Sequence, residues 1–155
     1  MSQLAQRISR WLQANGLFSS RIDLAKDQAA PLGLLGERLV AKYLNQLGYR
    51  VVAHGHRQRL GEIDLIALDG QCVVFVEVKT WASDAQGDPS MAVDRNKQEK
   101  ITRAALIYLK QHRLLNQPAR FDVVSVVWNG DHSIQPKIRH FQSAFEAVGT
   151  RQFFS

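Results

Sequence analysis

Asp64, Glu77 and Lys79 are charged side chains set inside two apolar runs, GEIDLIALDG and QCVVFVEVKT. Charge is costly there unless it is paired or used. Side chains alternate faces along a strand. Val73, Phe75, Glu77 and Lys79 therefore share one face of the second run, and Val74, Val76, Val78 and Thr80 the other. Asp64 shares its face with Glu62, Ile66 and Leu68. Asp69-Gly70 is a hairpin signal between the runs. A tight turn there sets Leu68 near Cys72 or Gln71, and Asp64 near Val76 and Glu77. Two carboxylates so placed repel, so one takes a proton or a cation neutralises both. A hard divalent ion such as Mg²⁺ takes oxygen ligands, keeps several waters and binds phosphate oxygens. With a lysine beside it, such an ion makes a site for phosphodiester hydrolysis. The metal polarises the phosphoryl group and lowers the pKa of the attacking water. Lys79 stabilises transition-state charge, or positions or deprotonates the nucleophile. The same residues also fit a half-buried salt bridge, Lys79 with Glu77 or Asp64, and nothing bound.

These residues need elements to position them. Leu35, Leu39, Val40, Tyr43, Leu44 and Leu47 mark a helix with one buried stripe, stopped by Gly48. Tyr49 to Ala53 reads as a first strand, Gly61 to Leu68 as a second and Cys72 to Trp81 as a third. A long helix runs from Asp94 to about Gln111, with Ile101, Ala104, Ala105 and Tyr108 inward. Phe121 to Trp128 is a fourth strand, Asn129-Gly130 a turn, and Ile134 to Phe141 a fifth strand. The tail from Gln142 is expected to add a helical turn or two. The order α-β-β-β-α-β argues for an α/β or α+β fold around a mixed sheet. Upstream, Leu4, Ile8, Trp11 and Leu12 fall at helical spacing, followed by a linker. The expected organisation is an extension over residues 1–30, a main domain over 31–145 and a tail over 146–155.

Lys97 lies four residues before Ile101, on the inward stripe of the long helix. It either reaches the carboxylates or a phosphate, or snorkels at the rim of the core. Glu37 on the first helix is either a third acid at the metal or a solvated first-turn glutamate. Arg57, Arg59, Arg95, Lys100 and Arg103 are candidates for a phosphate track around the site. Trp81 is a candidate for stacking on an unpaired base, or a tryptophan at the core edge. His54 and His56 lack further ligands at zinc spacing.

In combination, Gly36-Glu37 with Ala41 and Tyr43-Leu44, GEIDLIA, VFVEVKT, Lys97 and Arg120-Phe121-Asp122-Val123-Val124 resemble the YraN family. Those small bacterial proteins are similar to the restriction-endonuclease-like, PD-(D/E)xK nuclease superfamily. The resemblance covers Leu32 to Trp128. It implies an αβββαβ core of mixed sheet flanked by helices. It implies that Asp64 and Glu77 are the metal-binding acids and Lys79 the catalytic lysine. Glu37 matches a helix glutamate that archaeal Holliday-junction resolvases place at the metal, and Lys97 matches a helix lysine of the YraN pattern. Ile63 stands at the proline of the superfamily motif. Trp81 stands where YraN proteins usually carry arginine, and His54 to Arg59 replaces their Arg-Asn-type segment.

The chain of 155 residues carries 20 Lys and Arg against 14 Asp and Glu, a net charge of +6. That excess suits a polyanionic partner. The single cysteine, Cys72, reads as a buried inert thiol and agrees with a reducing cytoplasm. No apolar run reaches the ~18–20 residues of a membrane span, and the N-terminus lacks a signal-peptide core. The sequence therefore leads to a cytoplasmic, metal-dependent endonuclease acting on DNA, on branched or single strands by analogy with the resolvases. Asp64, Glu77 and the Val78 carbonyl would hold Mg²⁺ or Mn²⁺, and a homodimer would supply the two sites that junction resolution needs. The alternative is a nucleic-acid-binding or scaffold protein that keeps the fold and does not cut.

Overall fold

A computed structural model describes residues 31–55, 62–82, 93–128 and 136–149. The expected N-terminal helix and linker, the segment carrying His56, Arg57 and Arg59, the expected Asn129-Gly130 turn and the last residues of the tail lie outside the described residues.

Helix α1 spans Leu32–Gln46 and buries Gly36, Val40, Ala41 and Leu44. Gly48 ends it at φ +91°, and the Tyr49 N–H returns to the Leu44 carbonyl at 2.9 Å. A left-handed residue just past a helix is a glycine position because no Cβ meets the carbonyl. Leu47 falls outside the buried stripe that the spacing assigns to it. It is 53% exposed, because it is the capping residue and the stripe has already ended.

Five strands form one sheet in the order β1-β2-β3-β4-β5. They are β1 (Arg50–His54), β2 (Leu65–Asp69), β3 (Cys72–Trp81), β4 (Ala119–Val127) and β5 (Lys137–Phe145). Helix α2 (Arg95–Gln111) falls between β3 and β4. Those two strands pair parallel, and the other neighbours pair antiparallel. A parallel pair needs such a crossover, whereas hairpins serve the rest. The chain thus has the αβββαβ order of a restriction-endonuclease-like core, with a fifth strand added.

Both faces of the sheet are covered. Val73 and Phe75 pack with Ile101, Ala105, Tyr108 and Leu109 of α2. Val74 and Val76 pack with Val40, Ala41 and Leu44 of α1. Phe75 meets Tyr108 edge-on, with ring centroids 6.0 Å apart. The alternation along β3 sets the two cores apart, and this places Glu77 and Lys79 on the α2 side. Among the described residues, no helix is long and apolar enough to cross a membrane.

Three details depart from the sequence expectation. Asp69 pairs with Cys72 and Leu68 with Val73, so the loop is Gly70-Gln71, one residue later than Asp69-Gly70. Gly70 takes φ +59° there. The strand β2 begins at Leu65, and Asp64 lies just before it. Gln142 to Phe145, expected to begin a helical turn, continue β5 instead. Phe145 pairs with Phe121 in the ladder and stacks on its ring at 4.9 Å.

The β4–β5 register shifts between Phe121 and Val123, and the residue between them is Asp122, which is fully buried. Its carboxylate accepts from Arg120 Nε at 3.0 Å, from the Ser143 N–H at 3.0 Å, and bonds His140 Nε2 at 2.8 Å. Arg120 also donates to Asp69 and to the Tyr49 hydroxyl, each at 2.8 Å. A buried charge is tolerable only when so fully partnered. Ser143 adopts φ +48°, a conformation that lets its N–H turn inward to the carboxylate. The network ties the start of β1 to β2, β4 and β5.

Candidate metal centre

The register that carries Leu65 opposite Val76 puts Asp64 one step further, opposite Glu77. There the ladder ends and the Asp64 side chain takes over. Its Oδ2 accepts the Val78 N–H at 2.8 Å. Gly55 holds the same segment from the other side, its N–H donating to the Asp64 carbonyl at 2.8 Å. A Cβ on Gly55 would collide with the Ile63 carbonyl oxygen. This glycine is needed so that β1 can close on the Asp64 backbone.

Glu77 is only 5% exposed. Lys79 Nζ stands 3.5 Å from Glu77 Oε1, and Lys97 Nζ stands 3.8 Å from the same oxygen. The other oxygen, Oε2, is buried with no hydrogen-bond partner among the described residues. Burial, and next the Asp64 carboxylate, push Glu77 up from 4.5 to about 8. Burial likewise raises Asp64, against the hydrogen bond from Val78. At neutral pH a proton on Glu77 keeps the pair from carrying two negative charges.

Lys97 comes from the first turn of α2. Asp94 caps that helix, accepting the Lys97 N–H at 2.8 Å, which fixes the lysine backbone. Its ammonium donates to Glu62 Oε2 at 2.6 Å. Burial would lower Lys97, but the bond to Glu62 and the nearby Glu77 outweigh it and its pKa is raised. Glu62 is a site residue that the sequence reading does not single out. Its signal is present, since it lies two residues before Asp64 on the same face.

Glu37 arrives on α1, from the opposite side of the sheet. Burial first, and then the charge of Asp64, raise it to about 7. It is therefore not a fully solvated glutamate. Gly36 makes its approach feasible, because a Cβ there would collide with Thr80 Oγ1. Neither glycine is legible as a site residue from sequence.

The remaining expectations divide. Arg95, Lys100 and Arg103 are exposed on α2. Arg95 is 3.6 Å from Glu99, and Lys100 acts on Glu62 by its charge. Trp81 is half-buried on β3. It takes the alternation of Glu77 and Lys79, and its indole N–H has no hydrogen-bond partner among the described residues. Cys72 is half-buried rather than buried, and burial raises its thiol pKa.

The donor set suits a hard cation. Among the described residues, no three acidic, histidine or cysteine side chains converge to cage an ion. A closed zinc or calcium site would need more. Mg²⁺ or Mn²⁺ does not, because Mg²⁺ is commonly held by one or two carboxylates, waters and substrate phosphates. The two acids, which hold each other through one hydrogen-bonded proton with Glu77 Oε2 buried, are what such an ion would relieve.

The family model described as "Uncharacterised protein family UPF0102" matches residues 36–126. This chain belongs to UPF0102. That is the YraN family its motifs resemble. A UPF0102 protein of Rhodopirellula baltica is 47% identical over 130 residues, 83% of this chain and 78% of that protein. One of Geobacter metallireducens is 44% identical over 115 residues, 74% of this chain and 92% of that protein. One of Syntrophus aciditrophicus is 45% identical over 117 residues, 74% and 87% respectively. The UPF0102 match spans Glu37, Glu62, Asp64, Glu77, Lys79 and Lys97.

Proposed function

We propose that this UPF0102 chain is a metal-dependent endonuclease that hydrolyses DNA phosphodiester bonds. The observation that carries the reading is the pairing of half-buried Asp64 with buried Glu77, with Lys79 3.5 Å from Glu77 at the same end of β3. Asp64, Glu77 and the Val78 carbonyl would hold Mg²⁺ or Mn²⁺. A bound ion supplies Lewis-acid polarisation of the phosphate and a more acidic water. Lys79 orients the attacking water and balances charge on the phosphoryl oxygens. Lys97 offers its ammonium to the scissile or a flanking phosphate. Glu37 acts at the metal or on its bound waters.

The net charge of +6 and the exposed Arg95, Lys100 and Arg103 on α2 suit a phosphate backbone. Trp81, half-buried on β3 with the alternation of Glu77 and Lys79, suits an unpaired base. A branched or single-stranded substrate rests on the likeness to resolvases, and a cytoplasmic homodimer is the assembly that goes with it.

Calorimetric titration of Mn²⁺ and Mg²⁺ into wild type and Glu77→Ala tests the reading. Binding by wild type that disappears in the variant supports it. A chain that takes up no metal, yet binds DNA with an affinity that falls steeply with salt, is a binding module.

A further inference from the structure

We infer that Lys97 is the resident counter-ion of the metal-free carboxylate pair, and that Glu62 is the positioning residue that receives it when a divalent cation enters. The inference rests on the metal-site reading above and adds a cost and a direction to metal uptake. One Glu77 oxygen faces two ammonium groups, Lys79 at 3.5 Å and Lys97 at 3.8 Å. A divalent ion on Glu77 would meet both as like charges at close range.

The two lysines differ in where they can go. Lys79 is borne on β3 itself, next but one to Glu77. Lys97 reaches in from α2 and already has a second carboxylate in hand, Glu62 at 2.6 Å. The side chain of Glu62 is 41% exposed and that of Glu77 is 5% exposed. Glu62 therefore lies on the open side and already holds the ammonium. Swinging the Lys97–Glu62 pair outward gives up the 3.8 Å approach to Glu77 and moves the charge away from the two acids. The backbone of Lys97 stays fixed by the Asp94 cap, so only the side chain has to move. In its new place the ammonium remains at the mouth of the site, where an incoming phosphate would meet it.

Competition of this kind is reciprocal: what the metal does to Lys97, Lys97 does to the metal. Removing Lys97 should tighten metal binding, although it removes a group used with substrate. Removing the charge of Glu62 should weaken it, because Lys97 is then left with Glu77. Damage to the site would weaken binding in both variants, so the opposite signs distinguish exchange from disruption.

The experiment is calorimetric titration of Mn²⁺ into the full chain near neutral pH and at fixed ionic strength. The expected result is about tenfold tighter binding in Lys97→Met. Glu62→Gln should bind several-fold more weakly, and Glu62→Asp close to wild type. The double variant Lys97→Met/Glu62→Gln should bind like Lys97→Met, since Glu62 acts through the lysine. Lys97→Gln, read the same way, serves if the Met variant fails to fold. Unchanged or weaker binding without Lys97, while wild type binds, overturns the exchange and leaves the metal site standing. A wild type that takes up no Mn²⁺ overturns both.

Discussion

The Asp64 carboxylate accepts the Val78 backbone N–H at 2.8 Å, which locks one acid of the site to the peptide between Glu77 and Lys79. The bond replaces the next rung of the β2–β3 ladder. It lets an acid that precedes its strand keep a fixed distance from an acid within the neighbouring one. The arrangement concentrates negative charge in a buried place, and its consequences can be measured.

Stability should depend on pH in one direction. Glu77 is raised from 4.5 to about 8 and Glu37 from 4.5 to about 7. Between those values the folded chain holds more protons than the unfolded one. Their stabilising contribution is fully present below 4.5 and disappears as pH rises to about 8. In chelator, the melting temperature should fall from about pH 5 to about pH 8.5. Glu77→Gln should flatten the fall, and Mn²⁺ should reverse it most at the alkaline end.

Gly36→Ala should destabilise the fold by about 1–3 kcal/mol, the usual cost of overpacking. The added Cβ would collide with Thr80 Oγ1. Thr80→Ala removes that atom, so the double variant should recover part of the stability in a denaturation cycle. Gly55→Ala has no such rescue, because the clash is with the Ile63 carbonyl of the backbone.

Asp122→Ala should cost about 3–5 kcal/mol in unfolding free energy, because it strips half-buried Arg120 of one carboxylate and leaves the His140 ring and the Ser143 N–H without their buried acceptor. The Mn²⁺ affinity of the folded fraction should stay near that of wild type. Asp122 is lowered in pKa despite burial, through His140, Arg120 and the Ser143 N–H. That stability is present above 3.8 and disappears as pH falls below it.

Replacing Lys100 or Arg103 by glutamine should weaken DNA binding. The slope of log K against log salt should shrink by about 0.9 for each phosphate that is no longer neutralised. Arg95 should matter less, since Glu99 is 3.6 Å away. Filter binding or anisotropy across a salt series reads both.

The charged residues inside apolar runs are legible in the sequence because strand alternation and helix periodicity are local rules. Asp64, Glu77, Lys79 and Lys97 meet for that reason. The turn is displaced by one residue because Gly70, not Asp69, takes the left-handed position. The helical tail expected from Gln142 fails because Phe145 finds Phe121 and Ser143 finds Asp122, pairings no local pattern announces. Gly55 is silent for the same reason, and Gly36, although part of the Gly36-Glu37 motif, gives no sign of the contact that requires it. What makes them necessary is an atom of Thr80 and an atom of Ile63, both distant from them in sequence. Glu62 is on the correct face, but its partner lies 35 residues away.

Cleavage of a panel of branched, single-stranded and duplex DNA, with Mg²⁺ or Mn²⁺, decides between a nuclease and a binding module. Wild type, Asp64→Ala and Lys79→Ala should be compared. Wild type should cut at least one substrate, and only with metal present. Asp64→Ala should abolish both metal binding and cutting. Lys79→Ala should keep the metal and slow cutting by about 10²–10⁴-fold. Robust cleavage that survives Asp64→Ala or Lys79→Ala unchanged would overturn the roles assigned to these residues.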